Sequence, residues 1–366
     1  MLLVNKCTPG VHKRVTEENM RKLNKTAACG ILAAALAAGT LSGCSKAIDG
    51  TKTVATVGDE KVTLGLASYM VRDQQAQTTS YYNMLMSQYG VSGSASNVWD
   101  QKGDDGKTVG ESSKDGVMTT INQLYVLKAH AADYDVTITE DEEKAIKEAA
   151  AEFIKDNDEK ILKKLAVSED DIVTYLELVT IRSKMHDPMT ADVDTEVSAN
   201  EKDQTRVTIV KVSTEGTEKD DDGNTIDLTD EEKAQKKDLA QQVLDKVKAS
   251  DDVANADMDA LAKEVDDSLS ATAPAFTTAG DTDDTLDEAV QDAALELKDG
   301  EVADKVIEGD DGYYVVRLDK MLDEDATENK EKTVISERKS DLYDSTLEDW
   351  VKEEKIADLC FTVRDH

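Results

Sequence analysis

Arg206-Val207-Thr208-Ile209-Val210-Lys211-Val212 is the stretch at which the chain changes its period. β-branched residues dominate it, and such side chains suit a pleated surface better than a helix, where their stiff χ1 crowds the preceding turn. The run predicts a strand. An acidic loop over 215–227 leads to Thr229-Asp230-Glu231-Glu232, a capping box that opens a helix to about Ala249. A second helix carries Met258, Leu261, Ala262 and Val265, and Ala275-Phe276-Thr277 reads as a short strand. A further helix spans Leu286 to Leu297, and strands at 302–307 and 313–318 pair across Gly309-Asp310-Asp311-Gly312. The order strand, helix, helix, strand, helix, strand, strand predicts an α+β domain over 205–322, built on a four-stranded antiparallel sheet.

Outside that domain the pattern is helical. Residues 53–63 read as a hairpin turning at Gly58-Asp59, followed by an amphipathic helix over 64–89 and loops at 90–96 and 103–106. Ile121, Leu124, Leu127 and Ala131 recur at helical spacing, Thr139-Glu140-Asp141-Glu142 is a second capping box, and Ser168 opens a helix carrying Ile172, Leu176 and Val179. Residues 53–200 are expected to form a helical domain. A long helix over 328–360, with Val334, Leu342, Leu347, Trp350, Val351 and Ile356 inward, is expected to return and pack on it. The fold class is α+β: a mostly helical domain, closed by a returning C-terminal helix, with the sheet domain inserted.

The first residues read as an address. Arg21, Lys22 and Lys25 precede an uncharged, Ala-rich run from Ala27 to Gly43, which gives the basic and apolar regions of a secretory signal. The run is shorter and less apolar than the ~20 residues a spanning helix needs. Residues 1–43 are expected to be a signal peptide, with Met20 as an alternative start, and 44–52 a tether. Leu41-Ser42-Gly43-Cys44 resembles the lipobox of bacterial lipoproteins, which implies acylation of Cys44 and a place on the outer side of the cell membrane.

Composition narrows the classes. Cys7 and Cys29 precede the expected cleavage point, so Cys360 stands alone beside the lipidated Cys44, and no internal disulfide or cysteine metal site is expected. Lys plus Arg number 43 against 78 Asp plus Glu, for a net charge of −35. Such a surface repels phosphate backbones, which excludes nucleic acid as a partner, and it attracts basic polypeptide segments. Asp220-Asp221-Asp222-Gly223 has the look of a calcium loop, but Thr229 stands where a bidentate Glu is needed. No metal or cofactor is expected.

Five phrases carry a resemblance. They are Val54 to Leu64, Leu261 to Ser268, Leu286 to Ala289, Ala293 to Val302, and Gly312-Tyr313-Tyr314-Val315-Val316-Arg317-Leu318. In order and spacing they resemble the parvulin-type extracytoplasmic foldase lipoproteins, a peptidyl-prolyl isomerase family. The resemblance implies a membrane-anchored foldase or chaperone for unfolded exported polypeptides, working without a cofactor. It implies an X-Pro site at Thr208, Asp267 and Tyr314, with Phe276 and Leu295 binding the substrate; Thr208 and Tyr314 stand where the family usually has His. Tyr69, Tyr81, Tyr82, Met84, Met86 and Trp350 are candidates to line an apolar cradle for clients. The alternative is a non-catalytic peptide- or solute-binding lipoprotein, disfavoured for solutes because no alternating strand and helix units of the doubly wound kind are present.

Overall fold

Strands β1 (Thr53–Val57) and β2 (Glu60–Thr63) pair antiparallel around Gly58, whose φ of +57° is the left-handed conformation that the turn demands. The computed structural model describes residues 48–88, 98–216, 227–278 and 286–358. They divide into two units, one formed by the chain up to Asp192 together with Leu342 onward, the other by Val193–Asp341. The proposed signal segment, Cys44, the 220–226 loop and Cys360 lie outside the described residues.

In the first unit β2 runs directly into α1 (Leu64–Gln88). Four helices follow: α2 (Val109–His130), α3 (Glu140–Asp156), α4 (Glu159–Leu165) and α5 (Glu169–Met189). Thr108, Thr139 and Ser168 each close a capping box, so the starts of α2, α3 and α5 are set by local hydrogen bonds before any packing. The core is aliphatic, with Leu66, Ile121, Leu124, Leu127 and Ile172 at most 1% exposed; each such side chain contributes about 1.5–3 kcal/mol on burial. Tyr69 sits edge-on to Phe153 and Tyr175, with ring centroids 5.7 and 5.1 Å away. Asp171 is buried but satisfied, since it caps Ser168 and accepts the Thr63 hydroxyl at 2.5 Å. Gly65 is required beside it, because a Cβ there would lie 2.3 Å from Asp171 Oδ2.

The second unit begins with a short turn, α6 (Ala199–Lys202), and then β3 (Gln204–Ser213), the strand on which the domain is built. After it come α7 (Asp230–Lys248), α8 (Met258–Lys263), β4 (Ala271–Thr272), β5 (Ala275–Thr277), α9 (Glu288–Leu295), β6 (Ile307–Glu308) and β7 (Gly312–Lys320). The sheet order is β4-β3-β7-β6, and β5 pairs with another part of β3. There are thus five strands where the sequence suggests four, because two short strands share one edge of β3. The expected strand over 302–307 shrinks to Ile307–Glu308 plus a single bridge from Val302 to Arg317; a bend at Asp304 and Lys305 interrupts the pairing.

The pleat of β3 divides this unit into two cores. Val210, Val212, Tyr313 and Val315 face α7 and α8, where Val243, Leu244 and Met258 close the layer. Val207, Ile209, Tyr314, Val316 and Leu318 face the opposite way, with Phe276 of β5 and with Val290 and Ala294 of α9.

The chain then enters α10 (Glu324–Glu353). It starts four residues before the sequence suggests, because Asp323 caps it by accepting the Asp325 and Ala326 N–H groups at 3.1 Å. Its last turns belong to the first unit, where Leu347 is buried and Trp350 stacks on His130 at 4.0 Å. The helix gives way to β8 (Ile356–Asp358), which pairs antiparallel with β1 and makes a three-stranded sheet of the hairpin.

Candidate functional site

Tyr314 is the polar centre of the α9 side of the sheet. Its residue is 4% exposed, and its hydroxyl donates to Asp311 Oδ1. The other oxygen of Asp311 holds Lys211 Nζ at 2.5 Å, and the same ammonium lies 6.0 Å from the Tyr314 ring centroid. Lys211 reaches the cluster because it pairs with Tyr314 across β3 and β7, and cross-strand partners share a face. Asp287 closes the group from the start of α9, accepting the Ala289 and Asp310 N–H groups at 2.9 and 2.7 Å. Gly309 fills the remaining gap. A Cβ there would lie 2.4 Å from Asp287 Oδ2 and 2.9 Å from Tyr314 Cε2.

This arrangement fixes the protonation states. Burial pushes the Tyr314 phenol well above its usual range, and the hydrogen bond to Asp311 with the nearby charges of Asp311, Asp287 and Glu215 pushes the same way. Burial acts on Asp311 in the upward sense too, but the hydrogen bonds from Lys211 and Tyr314 outweigh it and hold the carboxyl below the usual aspartate range. At neutral pH Tyr314 is a neutral phenol and Asp311 a carboxylate. The cluster supplies hydrogen bonds and a fixed field, and no activated nucleophile. Peptide-bond rotation asks for nothing more, since its ~18–20 kcal/mol barrier falls when the lost resonance is offset by hydrogen bonds in an apolar surround.

The expected site residues do not form one cluster. Thr208 lies on the opposite face of the sheet, paired with Arg317, where its hydroxyl donates to Asp319 at 2.6 Å and receives Arg317 Nη2 at 3.3 Å. The reason is the period of two: one residue along a strand reverses the face, so Val207, Ile209 and Lys211 share Tyr314's side. Asp267 is an exposed turn residue after α8. Phe276 is on the Tyr314 side but is 0% exposed, which makes it core rather than pocket wall, whereas Leu295 at the end of α9 is 39% exposed. Lys211, Asp311, Asp287 and Val290 are the neighbours of Tyr314 that residue-by-residue matching passes over. Counting alternate positions along β3 finds Lys211; Asp311 and Asp287 depend on turn and cap geometry that no sequence pattern displays.

The apolar cradle candidates also separate. Tyr69 is core, and Trp350 is half-buried against His130 and Tyr134. Tyr81, Tyr82, Met84 and Met86, in the last turns of α1, are 58%, 37%, 62% and 38% exposed. On the same helix Gln74 and Thr78 line a cavity of about 290 Å³ with Trp99, Lys107, Val109 and Ser113.

A small antiparallel sheet covered by helices on both faces, with a buried phenol among apolar residues on one of them, defines a compact α+β module. Residues 219–331 match the family described as the PPIC-type PPIASE domain, so this segment belongs to the parvulin-type peptidyl-prolyl isomerase domains. No curated protein matches the chain. Among solved structures, the foldase protein (PrsA) of Lactococcus lactis is 14% identical, with 84% of this chain and 94% of that one covered at a TM-score of 0.33. A peptidylprolyl isomerase (PrsA) of Bacillus cereus is 19% identical, covering 74% of this chain and 95% of its own at a TM-score of 0.30.

Proposed function

We propose that this protein is a foldase of exported polypeptides, held on the outer side of the cell membrane through a lipidated Cys44. Its helical unit binds unfolded segments and its parvulin-type domain acts on their X-Pro bonds. The observation that carries this reading is the PPIC-type domain over residues 219–331. The Leu41-Ser42-Gly43-Cys44 phrase supports the anchor, and among the described residues no helix is long and apolar enough to cross a membrane. The exposed Tyr81, Tyr82, Met84 and Met86 support client binding in the helical unit.

Any isomerisation runs on the Tyr314 side of the sheet, with Tyr314 as the hydrogen-bond donor and with Asp311, itself paired to Lys211, competing with the peptide for its proton. Thr208 and Asp267 take no part. A second reading, client binding without isomerisation, is favoured by the full burial of Phe276 and by the commitment of the Tyr314 hydroxyl to Asp311. One pair of assays on residues 45–366 separates them: protease-coupled turnover of a Pro-containing peptide, and suppression of aggregation of a denatured client. Activity in both supports the foldase, suppression alone supports the second reading, and failure of both defeats the proposal. The anchor is tested separately, by metabolic labelling with a fatty acid, which Cys44→Ser must abolish.

A further inference from the structure

The last turns of α1 differ from the rest of the molecule in charge as well as in exposure. From Gln74 to Gln88 there is no Asp, Glu, Lys, Arg or His, in a chain that is 33% charged. Burial stops on this helix at Met70, and the second half carries no buried residue. Large apolar side chains are exposed at seven described positions, and four of them, Tyr81, Tyr82, Met84 and Met86, fall within six residues. Gln74, Thr78, Tyr82 and Met86 are spaced four apart, so they lie along one ridge of the helix. The cavity at Trp99 opens beside the start of that ridge. The result is a continuous neutral strip, half aromatic and half thioether, and methionine adapts its shape to unlike partners.

Beside the start of the strip the charge is negative in balance. The segment that lines the cavity with Gln74 and Thr78, together with the first turns of α2, exposes Asp100, Asp104, Asp105, Glu111 and Asp115 against Lys102 and Lys107, with Lys114 half-buried. Lys107, the nearest lining cation, is already held by Asp115 at 2.6 Å. The whole chain carries −35. A second copy of this protein would bring the same excess of carboxylates against itself, and an anionic surface would be repelled likewise.

We infer that the strip is the seat of basic amphipathic polypeptide segments, whose apolar residues lie on Tyr81, Tyr82, Met84 and Met86 and whose Lys and Arg face the surrounding carboxylates. The inference rests on the client-binding reading above and names the chemistry of the client. Neutral contact surface sets the affinity, and the acidic surround sets the selection and the rate of encounter.

The test uses residues 45–366 and three synthetic 20-residue peptides with one Leu/Phe pattern and with Lys, Gln or Glu at every polar position, read by fluorescence anisotropy. The Lys peptide is expected to bind about tenfold more tightly than the Gln peptide at low salt and the Glu peptide least, on the scale of electrostatic steering. That preference is expected to collapse in 1 M NaCl, where the screening length is about 3 Å. The fourfold variant Y81S/Y82S/M84S/M86S is expected to lose about tenfold for all three peptides with an unchanged thermal midpoint, since none of the four is buried. Equal binding of the Lys and Glu peptides overturns the inference, as does a fourfold variant that binds the Lys peptide normally. Dimerisation, or sedimentation with phosphatidylcholine vesicles, that the four substitutions abolish assigns the strip to another occupant and overturns it too. Aggregation suppression with no charge preference defeats this inference and leaves the proposed function standing; absence of both binding and suppression defeats the two together.

Discussion

Replacing Phe276 by Ala separates a core residue from a substrate-binding one. The ring is 0% exposed and packs with Val207, Val290, Tyr314 and Leu318. Truncating a fully buried Phe costs about 3–5 kcal/mol, part in transfer and part in the cavity left behind. The unit that holds it runs from Val193 to Asp341; for a domain of roughly 150 residues each kcal/mol moves the melting midpoint by about 2–4 °C, so a fall of about 10 °C is expected. Urea unfolding followed by far-UV circular dichroism gives the energy, and amide hydrogen exchange in β3 and β7 shows whether the loss is local to this sheet. At a temperature where the variant stays folded, peptide affinity is expected to match that of the parent. A loss of stability below about 1 kcal/mol, or peptide binding lost while exchange in β3 and β7 is unchanged, would refute the reasoning and return Phe276 to the pocket wall.

Tyr314→Phe removes the phenol that the proposed function makes the donor to the peptide, and loss of a single such donor costs on the order of 10²–10³ in rate; any prolyl turnover is expected to fall at least about tenfold, while Thr208→Val leaves it unchanged, as protease-coupled assays would read. Asp73 on α1 has its carboxyl pushed up, first by burial, with the hydrogen bond from Gln77 opposing, and its Oδ1 has no partner among the described residues. A raised carboxyl binds its proton more tightly in the folded state, so stability rises as pH falls through that folded value and is lost above it. Asp73→Asn is therefore expected to raise the midpoint at pH 7 and to flatten this part of the pH profile, which thermal scans from pH 4 to 8 would check. Gly65→Ala drives a methyl into Asp171 Oδ2 and the Ala166 carbonyl, 2.3 and 2.8 Å away, and is expected to cost about 1–3 kcal/mol in denaturant unfolding. Gly65→Ala with Asp171→Ala is expected to recover only part of this, since the Ala166 carbonyl does not move.

The fold was legible where local chemistry decides it. Thr139, Ser168 and Thr229 announce their helices because a capping box is complete within four residues, and the structure closes all three. Gly58 announces the first hairpin because only a residue at ease with positive φ makes that turn. What escaped is non-local. Ala271–Thr272 carries too few residues to show a period, and it is a strand only because β3 offers Ile209 and Val210 to pair with. Ile356–Asp358 sits at the end of a helical pattern, yet β1 has a free edge and the chain joins it. The strand over 302–307 is shorter than its pattern suggests, since alternation over six residues does not report the bend at Asp304 and Lys305.

The expected site residues separate for a related reason. Tyr314 and Phe276 belong to one face of the sheet and Thr208 to the other. Matching a strand to a family phrase fixes its residues only to within one position, and on a strand one position is the whole difference between two cores. On a helix a shift of one turns a side chain by about 100°, short of the full reversal that a strand imposes. The consequence bears on the chemistry. With Thr208 turned to Asp319 and Arg317, β3 offers Tyr314 Val207, Ile209 and Lys211, and of these three Lys211 alone is polar. The hydrogen-bonding power on that side is thus concentrated in the Tyr314, Asp311 and Lys211 triplet, and its apolar wall is already closed by Phe276 and Val290. A peptide approaching it would have to compete with Asp311 for the phenol proton. Any rotamase activity is therefore expected to respond to Asp311 substitution by rising where Asp311→Ala frees the hydroxyl, and to fall only when Tyr314 itself is changed.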